Sequence, residues 1–204
     1  MAIISNAVTM IDAGAFSASL GAMTLIKRLT LSNAGTASFV DGASSVVLDD
    51  TYPVYLFKFI NIHAVTDTAN FSFNGSIDAG SNYNIAKTST YFYASHDEGD
   101  SATALTYNTN HDLAQATGFQ TIFEEAGSDN DQCGSGEMYL FNPSSTVFTK
   151  HFIGRANNYH RANITNDDNF AGYLNTTSAI DAVQFKFSSG NIDAGIIELY
   201  GIGD

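Results

Sequence analysis

Histidines and carboxylates are the residues of this chain that could move protons, and their spacing decides what they can do together. The five histidines, His63, His96, His111, His151 and His160, are scattered, with no pair in the H-E-x-x-H spacing that sets two imidazoles on one metal ion. His63 ends an apolar run and His151 sits within another, so packing in the core or at its rim is expected of both. His96 stands beside Asp97 and Glu98, the one cluster with the look of acid–base chemistry. Two carboxyls flanking a glycosidic bond can come from distant parts of a β-fold, so a glycosidase reading would rest on Asp97 and Glu98.

Other spacings point away from catalysis. Ser135 lies between Gly134 and Gly136 but not in a G-x-S-x-G turn, and neither a phosphate loop nor a dinucleotide fingerprint occurs. The acidic groups Asp97-Glu98-Gly99-Asp100, Glu124-Glu125 with Asp129 and Asp131, and Asn166-Asp167-Asp168-Asn169 offer hard oxygen ligands to calcium. None follows the twelve-residue loop spacing of an EF-hand, and solvated acidic turns are the expectation. Tyr159, His160 and Arg161 form a cluster that could stack on a sugar ring, although the chain has no Trp to strengthen a lectin reading. These three are the candidate glycan contacts. No catalytic residue, cofactor or metal site is expected.

Composition narrows the partners. The net charge is −13, from 21 acidic and 8 basic residues, and such a surface repels phosphate backbones. Nucleic acid is therefore not an expected ligand. Only 14% of residues are charged, against roughly 25% in an ordinary soluble domain. Solubility has to come from Ser, Thr, Asn and Gly, which suit strands and turns better than exposed helices. The single cysteine, Cys133, cannot form an internal disulfide. The opening MAIISNAVTMIDAGAF lacks the basic start and unbroken apolar core of a signal peptide, and no stretch nears the roughly 18 apolar residues of a membrane span. Synthesis in a cytoplasm without membrane insertion is the expectation.

The elements that would position these groups are strands. Hydrophobic content of 44%, with 15 Phe and 10 Tyr, is enough to fill a sandwich core. In residues 182–201, Val183, Phe185 and Phe187 alternate with Gln184, Lys186 and Ser188, and Ile197 and Leu199 alternate with Ile196 and Glu198. Period two of this kind marks half-buried strands, and the pair predicts a C-terminal antiparallel hairpin. Residues 54–62 (VYLFKFINI) are apolar on both faces and predict a central strand. Further strands are expected at 23–32, 37–40, 45–48, around Phe71 and Phe73, at 83–94, 136–142, 147–154 with Phe148 and Phe152 as anchors, and 170–174. Residues 119–124 read as a strand, with a short helix over 112–127 as the competing reading. Ile-Asp-Ala-Gly occurs at 11–14, 77–80 and 192–195, at unequal intervals, and reads as a reused turn. The fold class expected is all-β: an antiparallel β-sandwich, jelly-roll-like, with roughly ten strands and at most one short helix. Residues 1–22 read as an N-terminal arm or irregular first strand, and 23–204 as one domain.

Several of these stretches together resemble a known family. Leu140-Phe141-Asn142-Pro143-Ser144-Ser145-Thr146, the run from Asn175 to Phe185, Ser188-Ser189-Gly190-Asn191-Ile192-Asp193-Ala194-Gly195 and Leu199-Tyr200-Gly201-Ile202 carry the resemblance, with Tyr52-Pro53-Val54-Tyr55 and Phe59-Ile60-Asn61-Ile62-His63 upstream. The pattern is similar to small virion proteins of marine tailed bacteriophages, over residues from about 25 to 202. The resemblance implies a non-enzymatic structural protein of the particle surface, either a tail or fibre component or a capsid decoration (cement) protein. It also implies homo-oligomeric packing and contacts with other virion proteins of the capsid or tail. The matched residues are turn and core positions and bring no binding role with them. The alternative reading is a carbohydrate-binding module for host attachment, with a host surface glycan as its ligand. On either reading the protein is made in the bacterial host cytoplasm and ends in the virion.

Overall fold

A computed structural model describes residues 23–203 throughout, together with the backbone of three short strands upstream. Residues 1–2, 6–7, 13–14, 17–22 and 204, and all side chains before Met23, lie outside the described residues, and with them most of the expected arm. The three upstream strands, β1 (Ile3–Ser5), β2 (Val8–Asp12) and β3 (Ala15–Phe16), make an antiparallel sheet of their own. Twelve strands follow in one antiparallel, nearly closed sheet, and no helix occurs among the described residues.

These are β4 (Met23–Ala34), β5 (Ala37–Val40), β6 (Val54–Ala64), β7 (Ala69–Ser76), β8 (Lys87–Asp97), β9 (Thr103–Tyr107), β10 (Gln120–Ala126), β11 (Gly134–Phe141), β12 (Lys150–His160), β13 (Ile164–Leu174), β14 (Ala182–Phe187) and β15 (Ile192–Ile202). They form two layers. One runs β4-β15-β6-β11-β12-β13-β8-β9 and the other β5-β14-β7-β10, joined at one corner where Ala126 of β10 pairs with His160 of β12. Eight strands follow the jelly-roll path, the chain crossing between layers from β4 to β7 and again through β10, β11, β14 and β15. Two inserted hairpins, β8-β9 and β12-β13, widen the first layer beyond β11.

The aromatic content is what closes the two layers on each other. Tyr55, Phe57 and Phe59 of β6 point inward and are essentially fully buried. Phe185 of β14 meets Phe57 and Phe59 from the opposite layer with ring centroids 5.1 and 5.2 Å apart, and Phe73 meets Phe152 at 5.0 Å. These rings are edge-on, the arrangement their quadrupoles favour. As the pattern predicts, β6 is central, between β15 and β11.

The structure corrects several local expectations. The C-terminal strands are both present but form no hairpin: β14 lies between β7 and β5, β15 between β6 and β4. Each carries one apolar face, and placing them in facing layers lets both faces share the core. Gly190, at φ +69°, helps turn the short connector across. Residues 45–48 are not a strand but a loop whose Val46 and Leu48 plug the core. Phe148 is no anchor, being 70% exposed in the connection before β12. The third Ile-Asp-Ala-Gly is a bulge within β15, where Gly195 sits at φ +138°, and not a turn. One strand, β9, lies in polar sequence and was not expected, and β13 extends back from the expected 170–174 through polar residues.

Candidate functional site

The register of three adjacent strands builds a cleft on the outer face of the first layer. His96 on β8, Thr165 on β13 and Tyr159 on β12 stand in one row across the sheet. The turn after β8 brings Asp100, the loop before β11 brings Asp131 and Cys133, and together they enclose about 550 Å³. Strand alternation aims these side chains: Tyr159 points outward because its neighbour His160 points into the core.

Three of the four carboxylates here, Asp97, Glu98 and Asp100, are occupied. Asp97 accepts hydrogen bonds from the Ser101 and Ala102 amides and, at 2.6 Å, from the Ser101 hydroxyl. Those bonds, the Ser101 hydroxyl first, hold its carboxyl down at about 2. A carboxylate so held organises its turn and is a poor proton donor. Glu98 Oε1 accepts from the Tyr159 hydroxyl at 2.8 Å, and this bond pushes the phenol above its ordinary value. His96 Nε2 lies 3.1 Å from Asp100 Oδ1, both exposed. An aromatic edge among hydroxyl, amide and carboxylate groups is suited to gripping a polar ligand through hydrogen bonds.

The triplet Tyr159, His160 and Arg161 does not present one surface. Tyr159 lines the cleft, whereas His160 Nε2 lies 3.2 Å from Glu125 Oε2 and the Arg161 guanidinium donates to the same oxygen at 2.8 Å. Of the other histidines, His63 bridges Asp193 and the Asp129 carbonyl at the rim. His151, expected in the core or at its rim, instead stands on the outer face beside the Tyr173 ring. Among the described residues, no group of three or more His, Cys, Asp or Glu side chains is arranged to hold a metal ion.

Two acids that read as solvated turns are inside the protein. Asp168 is fully buried on β13, its Oδ1 accepting from the Tyr91 hydroxyl at 2.7 Å and its Oδ2 without a partner. Burial, more than any other influence, pushes its carboxyl well above the usual range. Glu124 of β10 lies nearby, 2.7 Å from His111 Nε2 and accepting from the Asn108 amide. The signal for Asp168 is in the sequence, since period two carried back from Phe170 turns Asp168 and Asn166 inward. Lys87 and Lys150 are also fully buried, flanking Leu174 in register. Their ammonium groups donate to carbonyls, of Ile85 and Gly118 for Lys87 and of Thr176 and Ser178 for Lys150, and so tie down loops at one end of the sandwich. Burial draws Lys87 down to about 7.

No family model, curated protein or solved structure matches this chain.

Proposed function

We propose that the chain is a non-enzymatic structural protein of a bacteriophage particle, packing on the virion surface as an oligomer. One observation carries the assembly part of this reading. The strand β4 is twelve residues long, pairs only with β15 among the described residues, and leaves Met23 and Leu25 exposed at 44% and 49%. A long open edge with apolar side chains is a template for another strand, and soluble proteins usually cover or blunt it. Lys27 and Arg28 give it partial protection, and residues 1–22, which precede it in the sequence, are the segment proposed to reach a neighbouring subunit. The virion setting rests on the sequence resemblance, with which the jelly-roll path is compatible.

Mass spectrometry of purified particles should find the chain as a structural component. Deleting residues 1–20 removes the small upstream sheet but should leave the unfolding midpoint of the twelve-stranded domain unchanged, and should remove the protein from the particles. Absence of the full-length chain from particles would overturn the virion reading. Normal incorporation of the truncated form would overturn the role of the arm.

The cleft at Tyr159 favours a second reading, a carbohydrate-binding surface used at the host. Only Tyr159 of the original triplet faces it, joined by His96, Asn157 and Thr165. Glycan-array binding that falls at least about tenfold, or about 1.4 kcal/mol, in Tyr159→Ala is its expected result. Binding unaffected by the substitution would sink it.

A further inference from the structure

We propose that the chain forms a two-fold dimer in which Val147 and Phe148 of each copy fill an apolar groove on the outer face of the other. The inference rests on the assembly reading above and names a surface for it.

The knob is the connection between β11 and β12. Val147 is 68% exposed and Phe148 70%, adjacent apolar side chains that their loop leaves mostly to solvent. The Phe148 amide donates to Ser145 Oγ at 3.1 Å, as does that of Val147 at 3.2 Å, so the loop is held in shape. The hole crosses β12, β13 and β8 and encloses about 450 Å³. Ile153, Ala171 and Thr90 lie in one row across it, and His151, Tyr173 and Thr88 in the next. Ala171 is small and forms the floor. Ile153, 54% exposed, forms a wall.

Charge selects the occupant. Two copies of a chain at −13 repel wherever their acids meet, so contact between them favours an uncharged strip. Residues 142–149 contain no charged side chain, and the groove is lined by no Asp, Glu, Lys or Arg. One row further along, Arg155 stands opposite Glu137, and two hydrogen bonds of 2.6 and 2.8 Å tie it diagonally to Asp167 of the row beyond. That row supplies the polar rim an apolar contact needs.

Position selects the symmetry. Phe148 precedes His151 by three residues, which bounds their separation at about 10 Å. Knob and hole are therefore adjacent, the knob leading directly into the strand that carries His151 and Ile153. A two-fold axis passing between them sends each knob into the other copy's hole and closes the assembly at two.

The test is the mass of the full-length protein in solution, by light scattering after size exclusion. The wild type should run at twice 21.8 kDa, and Phe148→Asp and Ile153→Asp each at 21.8 kDa with unchanged circular dichroism. Val65→Asp, at an apolar site 49% exposed just past the far end of β6, should stay dimeric. A photoreactive phenylalanine analogue at 148 should cross-link to a peptide of the second copy containing 151–153 or 171–173. A monomeric wild type, a dimer that survives Phe148→Asp, or a cross-link elsewhere overturns the proposal. A monomer that is nonetheless found in particles defeats this interface alone. A dimer missing from particles defeats the virion reading alone.

Discussion

Phe185→Ala is expected to cost about 3–5 kcal/mol, a large share of the roughly 5–15 kcal/mol that holds a domain folded. Phe185 is fully buried on β14, and its ring lies 5.1 to 6.3 Å from those of Phe57, Phe59, Phe39, Phe71 and Phe73. Those five rings come from both layers, so the cavity left by alanine opens at the contact that joins them. The surrounding strands are hydrogen-bonded on both sides or, for β5, short and buried, which limits how far they can move to refill it. Phe185→Leu keeps much of the volume and should lose less. Leu105→Ala, at a side chain 78% exposed on β9, should change stability by under about 0.5 kcal/mol. Urea unfolding of the three variants checks the order. A loss at Phe185→Ala no larger than at Leu105→Ala would remove the aromatic cluster as the source of stability.

Asp168→Asn should gain on the wild type as the pH rises. Burial raises the Asp168 carboxyl, the Glu124 and Asp167 charges add to it, and the Tyr91 hydrogen bond opposes. The unfolded chain releases this proton near the ordinary aspartate value of about 3.9. The folded chain keeps it to a higher pH. Between those two points the folded state binds more protons than the unfolded one, so the stability owed to Asp168 is fullest below the window and declines through it. Asparagine has the same shape, still accepts from Tyr91 and never ionises, so its variant lacks that decline. Groups not coupled to Asp168, Lys87 among them, titrate as well but cancel in the difference between the two proteins. Unfolding midpoints compared from about pH 4, the foot of the window, into mildly alkaline solution should diverge. A constant gap across that range refutes the buried-acid argument. Tyr91→Phe removes the donor to Asp168 Oδ1 and should cost about 1–3 kcal/mol at acid pH.

The alternation in Val183, Phe185 and Phe187 and the two apolar faces of β6 make those strands legible in the sequence. Asp168 was hidden for a different reason. Counting charges in a polar stretch suggests solvent, whereas the burial of one member depends on the strand that continues it from Phe170. The cleft was only partly legible. His96 and Tyr159 each stand out in the sequence, but their common row depends on β13 lying between β8 and β12.

Side-chain periodicity is a local property, and by itself it determined the strand class, most strand positions and the aromatic make-up of the interior. Which strands lie side by side was decided only in three dimensions. The final two runs, separated by four residues, went to opposite layers because a shared core buries both apolar faces. Strand pairing also gathered residues 96, 131, 159 and 165 around one hollow. Hydrogen-bond pairing between backbones carries no sequence label, so neighbours are chosen by what their side chains can cover together.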